Sequence, residues 1–232
     1  HIITGPRFTP TVNALPSIVP FVAPEEMERS RGAPFKVRLG ANESTFGPSP
    51  KAIAAMQAAS THCWMYGDPK SHELRLALAD HLSCAPGNLV VGEGIDGVPW
   101  PRGLDPAPTL RGALVHAALA ARHGTGLLSY CCHLLVGEGD TIVSTGGTYP
   151  TLNYFVAGRG GHVATVPYGS DQRHDLGALV AKAHEVEAKL VYVVNPDNPS
   201  GTWHAPAAIE ALVEQLPPGC LLLLDEAYAD LC

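Results

Sequence analysis

The stretch "KLVYVVNPDNPSGTWHAPAAIEALVEQLPPGCLLLLDEAY" (189–228) decides the fold of this 232-residue chain. The apolar run "LVYVV" stops at a turn with two Asn-Pro steps, and a helical pattern over 205–216 leads into a second apolar run, "LLLLD". Strands that are joined through a helix pair in parallel, and continuous apolar runs are typical of strands buried on both faces. The stretch therefore predicts a βαβ unit within a buried parallel sheet.

The same alternation of strands and helices extends upstream of this unit. Strands are predicted at "DTIVST" (140–145) and "GHVATVPY" (161–168), and helices at "LLSYCCHLLV" (127–136), "TYPTLNYFVAGRG" (148–160) and "DLGALVAKAHEVE" (175–187). Asp175 is the expected N-cap of the last of these helices. The predicted fold class is α/β, a three-layer sandwich in which helices cover both faces of a mostly parallel sheet.

The N-terminal part of the chain has a different pattern, because prolines interrupt it. Residues 1–35 contain six prolines and predict an extended arm without a packed element. After this arm we expect a short strand followed by a loop over "KVRLGANESTFGPSP" (36–50) and helices over 49–60 (capped by Ser49) and 71–82 (capped by Ser71). A strand that runs into a glycine turn should follow at "NLVVGEG" (88–94).

Composition limits the classes of function. The net charge is -7, and the 15 Lys and Arg residues are scattered, so we expect no nucleic-acid partner. No apolar run approaches the roughly 20 residues that span a bilayer, and the first residues show no secretory signal, so we expect no membrane partner and a cytoplasmic location. The six cysteines and eleven histidines form no metal-binding pattern, so we predict no metal site.

Ligands of open α/β sheets bind at the carboxyl ends of the strands. Three predicted strand ends carry unusual sequences, namely "GEGIDG" (92–97), "NPDNPSGT" (195–202) and "DEAY" (225–228). A rigid asparagine in the second sequence can donate its amide to a ring oxygen, because the prolines fix the turn. Asp225 follows four leucines, so its carboxylate should be desolvated and should need a positive partner or strong donors. A protonated pyridine nitrogen is one such partner, and Tyr228 could donate to a neighbouring ring oxygen.

The sequence GEGIDG also matches the dinucleotide-binding fingerprint GxGxxG, which raises the hypothesis of an NAD-dependent dehydrogenase. That fingerprint requires a helix that begins within it, yet Pro99 and Pro101 follow at once. It also requires an acid about 20 residues further on, and there is none between Asp105 and Glu138. We therefore disfavour the dehydrogenase hypothesis and keep a more general interpretation, a glycine turn whose N–H groups hold a phosphate.

Taken in order, these sequences resemble the class I/II aminotransferases of pyridoxal 5′-phosphate (PLP) fold type I, and among them the histidinol-phosphate aminotransferases. The resemblance is carried by "LGANESTFGPSP", "YGDPKSHELRLALADHL", "VVGEGID", "GGTYPTLNYFVAGRGGHVATVP", "VVNPDNPSGT" and "LLLLDEAY". It implies the major domain of an aspartate aminotransferase-like fold with PLP as the cofactor. It also implies an arm and part of a small domain over 1–48, and a PLP-binding large domain over 49–232.

The resemblance implies a role for each matching residue. Gly94, Ile95 and Asp96 would bind the PLP phosphate, chiefly through backbone N–H groups. Around the ring, Tyr149 would stack on the pyridine, Asn198 and Tyr228 would bind the hydroxyl oxygen, and Asp225 would pair with the ring nitrogen. Tyr66 would reach the cofactor phosphate of the partner subunit in a homodimer, and Asn42 would help to enclose the substrate.

The sequence differs from the family pattern in two respects. The family's Schiff-base lysine lies beyond the "DEAY" motif, and none of the lysines in this sequence occupies its position, so we expect an incomplete large domain and no catalytic residue in this chain. Residues 98–126 separate the "GID" turn from the helix that normally follows it, and we interpret them as an insertion. This insertion is either a surface element with one helix over 110–122 or translated non-coding or misassembled sequence.

The resemblance implies a PLP-dependent aminotransferase that transfers an amino group between L-histidinol phosphate, or an amino acid, and 2-oxoglutarate. Without the lysine there is no general base for the proton shift, so the chain as given should be inactive. Its last strand should also leave apolar surface exposed. The alternatives are the same chemistry on an aromatic or other amino acid, a related PLP-dependent lyase or decarboxylase, and a non-catalytic pseudoenzyme.

Overall fold

The computed structural model describes residues 9–15, 22–40, 42–92, 115–117 and 126–231. In these ranges the helices are α1 (Pro10–Ala14), α2 (Pro24–Arg31), α3 (Pro50–Ala59), α4 (His72–His81), α5 (Gly126–Leu135), α6 (Thr151–Gly158), α7 (Leu176–Glu185) and α8 (Pro206–Gln215). The strands are β1 (Val115–Ala117), β2 (Thr141–Thr145), β3 (His162–Val166), β4 (Leu190–Val194) and β5 (Leu221–Asp225). Short 3₁₀ turns lie at Ser60–His62, Pro86–Asn88 and Ala229–Leu231.

The strands form a parallel sheet with the order β1-β5-β4-β2-β3. From β2 the chain passes through α6 to β3 at one side of the sheet. Helix α7 then carries it back across β2 to β4, and α8 leads on to β5 at the other side. The direction of winding therefore reverses between β2 and β4, which is the place where open α/β sheets bind their ligands.

Helices cover both faces of this sheet, which confirms the predicted three-layer α/β sandwich. On one face α5 and α6 pack against alternate strand residues, including Ile142, Leu190, Tyr192, Val194 and Leu223. On the other face α7 and α8 pack against the intervening residues, including Val143, Val191, Val193, Leu222 and Leu224. Because successive residues of a strand point to opposite faces, the apolar runs of β4 and β5 supply both cores.

The expectation that the last strand would leave apolar surface exposed is wrong. Leu222, Leu223 and Leu224 are only 2–3% exposed. Strand β5 lies between β4 and β1, with Leu223 in register with Val115, so it is not an edge strand of the described sheet. Its leucines therefore meet both helical layers from the interior of the sheet.

The N-terminal part differs from its predictions in several places. The extended arm contains the helices α1 and α2, and the ranges 36–40 and 88–92 contain no strand. Ser49 caps α3 as predicted, with its hydroxyl 3.2 Å from the Lys51 nitrogen. Ser71 makes no capping hydrogen bond; the Asp68 carboxylate accepts from the N–H of Lys70 and of His72 instead.

A strand lies where one of the two interpretations of the inserted segment placed a helix. Residues Val115–Ala117 pair in parallel with β5, so they do not belong to a helix over 110–122. The rest of the insertion, up to residue 125, lies outside the described residues. Among the described residues, no helix has the length and apolar character that crossing a lipid bilayer requires.

Gly161 lies where α6 packs closely against the start of β2, with no room for a side chain. A Cβ at Gly161 would lie 2.6 Å from Cγ1 of Val136, 3.0 Å from Cγ1 of Val156 and 3.2 Å from the Asp140 carbonyl oxygen. Both valines are buried, so we expect Gly161→Ala to lower the free energy of unfolding by about 1–3 kcal/mol in urea titrations. The matched control is Gly158→Ala, where a Cβ meets nothing within 4 Å and no loss is expected. Equal unfolding free energies for the two variants would contradict the packing.

Candidate functional site at the carboxyl ends of the strands

The carboxyl ends of β2, β4 and β5 lie side by side at one edge of the sheet. Val194 is in register with Asp225, and the Asn195 N–H donates to the Asp225 carbonyl oxygen over 2.8 Å. Polar sequences, including "NPDNPSGT" and "DEAY", form the turns after these strands. Parallel pairing therefore brings the polar ends of separate strands to one place.

Asp225 ends β5 with a side chain that is almost completely buried. The Tyr192 hydroxyl donates to its Oδ2 over 2.8 Å, and the Ala227 N–H donates to its Oδ1 over 3.1 Å. Burial raises the pKa of this carboxyl group, and the charge of Glu226 adds to that rise, whereas the two hydrogen bonds oppose it. No Lys, Arg or His among the described residues forms an ion pair with Asp225, so this carboxylate is well placed to take a cationic partner.

Tyr228 brings three of the predicted site residues together. Its hydroxyl oxygen lies 2.9 Å from Nδ2 of Asn42 and 3.5 Å from Nδ2 of Asn198. Asn42 is distant in sequence and has a φ of 53°, a left-handed conformation that asparagine tolerates better than most residues. The side chains predicted to bind the ring hydroxyl and to enclose the substrate are therefore neighbours.

Asp197 is a buried acid at this edge of the sheet that sequence reasoning missed. Its carboxylate is buried and accepts from the Thr148 hydroxyl over 2.6 Å, the Tyr168 hydroxyl over 2.8 Å and the Ser200 N–H over 3.1 Å. The His174 ring also contacts it, with Nε2 at 3.1 Å from Oδ1. Burial acts to raise the pKa of Asp197, but hydrogen bonds from His174, Thr148, Ser200 and Tyr168 hold it well below its usual range. The sequence feature that could have indicated Asp197 is its position between two Asn-Pro steps.

The other predicted residues are less closely grouped. Tyr149 is half-buried and packs against the core cluster that lies over α5 and α6. Tyr66 is fully exposed. Gly94, Ile95 and Asp96 lie outside the described residues. Within the described ranges, no group of three or more His, Cys, Asp or Glu side chains could hold a metal ion.

Two of the lysines have partners away from this edge of the sheet. Lys189 precedes β4 and lies 3.5 Å from Oδ2 of Asp140, which precedes β2, so this pair is at the amino ends of the strands. Lys182 lies in α7 and pairs with Glu185 over 2.6 Å. These two amines therefore do not serve the edge where Asp225 lies.

The hydrogen bond from Tyr192 to Asp225 should be visible in the pH dependence of stability. Because the folded-state pKa of Asp225 is raised, the folded chain keeps this proton longer, and stability falls as pH rises from the unfolded pKa through the folded one. Tyr192→Phe removes a donor to the carboxylate and raises that pKa further. We expect it to cost about 1–3 kcal/mol of unfolding free energy at neutral pH and clearly less in acid.

Chemical denaturation across a pH series measures this difference. The control is the same substitution made in an Asp225→Asn background, where the cost should not change with pH. A cost that is equal at all pH values in the native background would show that Tyr192 acts through packing alone.

Comparisons with known proteins agree with this geometry. The family model for aminotransferase class I and II matches residues 115–232. The histidinol-phosphate aminotransferase of Moorella thermoacetica is 31% identical over 229 residues, which are 99% of this chain and 51% of that protein. The one from Anaeromyxobacter sp. is 28% identical over 225 residues, or 97% of this chain and 54% of that protein. The chain thus spans about half the length of these curated relatives.

Solved structures give the same result. The histidinol-phosphate aminotransferase of Sinorhizobium meliloti, solved in complex with PLP, superposes with a TM-score of 0.80 at 40% sequence identity. The superposition covers 99% of this chain and 53% of the Sinorhizobium meliloti chain. A Thermus thermophilus aspartate aminotransferase mutant has a TM-score of 0.65 at 18% identity, with 96% and 51% covered, which shows the fold alone. This likeness confirms the predicted aspartate aminotransferase-like fold. With its family model matched over half of its length, the chain belongs to the class I and II aminotransferases.

Proposed function

We propose that this protein is a PLP-dependent aminotransferase of the histidinol-phosphate type. It would transfer an amino group between L-histidinol phosphate and 2-oxoglutarate. The observation that carries the proposal is the buried carboxylate of Asp225 at the end of β5. Three residues further on, the Tyr228 hydroxyl meets the side-chain amides of Asn42 and Asn198. The names of the relatives from Moorella thermoacetica and Sinorhizobium meliloti support the choice of substrate.

The residues present fit the pyridine ring of PLP. Asp225 has a raised pKa and no cationic partner among the described side chains, so a protonated ring nitrogen would supply the positive charge that its carboxylate lacks. The Tyr228 hydroxyl and the Asn198 amide would bind the ring hydroxyl oxygen. PLP, when bound, supplies an electron sink for the carbanion formed at the substrate. The chain's own contribution is to hold the ring, keep its nitrogen charged and exclude water from Asp225.

The remaining roles are proposals from the resemblance. Tyr149 would stack on the ring, and Gly94, Ile95 and Asp96 would bind the phosphate through their N–H groups. Asn42 would close over the substrate, a role that its hydrogen bond to Tyr228 supports. Tyr66 would serve the cofactor of the second subunit in a homodimer, and its full exposure leaves it free of the chain's own core.

The division into an arm with part of a small domain (1–48) and a large domain (49–232, with the insertion 98–126) also stays a prediction, as does the cytoplasmic location. We further propose that the 232-residue chain alone does not transaminate. Lys182 and Lys189 have acidic partners elsewhere, and no lysine in the chain stands at the family's position for the reactive amine.

Binding of PLP to the 232-residue chain tests the assignment of Asp225. Asp225→Asn removes the charge at constant size, and we expect it to weaken PLP binding at least about tenfold, because the ring nitrogen loses its ionic partner. Equilibrium dialysis with PLP measures the affinity. The matched control is Asp171→Asn, an exposed acid beside Arg173, which should bind PLP as the native chain does. Equal affinities for the native chain and Asp225→Asn, or no PLP binding by the native chain, would refute the assignment.

Amino transfer is tested in a fusion that joins this chain to the part of the Sinorhizobium meliloti enzyme that it does not match. With L-histidinol phosphate and 2-oxoglutarate, the fusion should form glutamate, and the unfused chain should form none, because the reactive amine is supplied by the added part. Release of CO₂ from an amino acid would instead favour the PLP-dependent decarboxylases. A fusion that binds PLP but turns over no amino acid would favour the pseudoenzyme.

A further inference from the structure

A buried polar cluster lies at the same carboxyl edge of the sheet as the proposed PLP contacts. We call it the Asp197 cluster, and it consists of the side chains of Thr145, Thr148, Tyr168, His174 and Asp197. All of these except the half-buried Tyr168 are less than 5% exposed. They come from the ends of β2 and β4 and from the segment between β3 and α7. The cluster therefore joins three separate strand-to-helix connections.

The carboxylate of Asp197 is the centre of this cluster. Its Oδ1 faces the Thr148 hydroxyl and the His174 ring, and its Oδ2 faces the Tyr168 hydroxyl and the Ser200 N–H. Each oxygen thus has two hydrogen-bond donors. A buried carboxylate with this many donors stays ionised, and its position is fixed by all of them at once.

His174 ties this carboxylate to two strands. Its Nε2 lies 3.1 Å from Oδ1 of Asp197 and 3.0 Å from the Val194 carbonyl oxygen, at the end of β4. Both of these atoms can only accept, so Nε2 carries a hydrogen and donates to them. Its Nδ1 lies 2.7 Å from the Thr145 hydroxyl, at the end of β2. The ring therefore bridges the two strands between which the winding of the sheet reverses.

The cluster stands one residue away from two proposed PLP contacts. Thr148 precedes Tyr149, which would stack on the ring, and Asp197 precedes Asn198, which would bind the ring hydroxyl. The bond from Thr148 to Asp197 is therefore a direct link between the two backbone segments that carry those side chains. If the hydrogen bond between Thr148 and Asp197 became longer or shorter, Tyr149 would move relative to Asn198.

We propose that His174 and Asp197 are positioning residues that fix the separation of Tyr149 and Asn198. This rests on the proposed function, since the two positioned side chains are assigned to PLP. The pair would touch neither cofactor nor substrate. It would act by holding two turns in register, so that the stacking face and the amide donor are in place before the ring binds.

The test uses the 232-residue chain with His174→Ala and the milder variant Tyr168→Phe, which removes one donor to Asp197. The matched control is His184→Ala, whose exposed ring lies in the last turn of α7 and contacts the Gln215 carbonyl oxygen. His174→Gln, whose amide can still donate to Asp197, serves as the rescue. Thermal melting without PLP first establishes that each variant is folded.

Two readouts separate positioning from simple stability. The first is the visible circular dichroism per bound PLP at saturation, together with PLP affinity from dialysis. We expect His174→Ala to lose about tenfold in affinity, the cost of one hydrogen bond to a charged group, and most of the dichroism. Tyr168→Phe should lose part of the affinity and part of the dichroism, whereas His174→Gln and the control should keep both.

The second readout needs no PLP. It is the side-chain amide resonance of Asn198, which should shift in His174→Ala and stay in place in the control.

Each outcome decides one of the two proposals. If the native chain binds no PLP but the Asn198 resonance responds to His174→Ala, the proposed function fails and the positioning of Asn198 stands. If His174→Ala melts at a lower temperature yet keeps the native affinity, dichroism and Asn198 resonance, the pair is merely structural and the positioning proposal is overturned.

Discussion

The parallel pairing of β4 with β5 sets the relative position of the two polar turns at the candidate site. It puts the Asn195 N–H on the Asp225 carbonyl oxygen, so the turn after β4 begins beside the acid that ends β5. Both strands are apolar on both faces and lie between two helical layers. Because hydrophobic burial fixes the register, the polar residues that follow the strands have little freedom to lie elsewhere.

The pKa values of two buried carboxyl groups at this edge are shifted in opposite directions. Asp197 has hydrogen-bond donors around both of its oxygens, which outweigh the effect of burial and lower its pKa. Asp225 is equally buried but has a tyrosine hydroxyl and one N–H, so burial prevails and its pKa is raised. A carboxylate that the protein fully satisfies suits a structural role, whereas one that it leaves undersatisfied suits a cationic ligand. By this contrast, Asp197 suits a structural role at the site and Asp225 suits contact with a ligand.

Much of the site could be predicted from local sequence, because its residues stand directly after recognisable strands. Asp225 follows a leucine run, and Asn198 stands in a proline-fixed turn, so both were accessible to reasoning from the chain alone. The Asp197 cluster was not, because its donors come from three connections far apart in sequence. The cap of α4 was misassigned for a local reason: Ser71 has a left-handed backbone conformation and makes no capping hydrogen bond, and the Asp68 carboxylate accepts from the N–H groups of Lys70 and His72 instead.

The sequence by itself determined the α/β class, the parallel sheet and the presence of Asp225 and Asn198 at its carboxyl edge. These follow from hydrophobic periodicity and turn chemistry, which act over a few residues. Only the tertiary structure decided the strand order, the meeting of Asn42 with Tyr228 and the network around Asp197. Those features depend on which distant segments share a core, and a buried carboxylate takes its donors from whatever the fold places beside it, whether near or far along the chain.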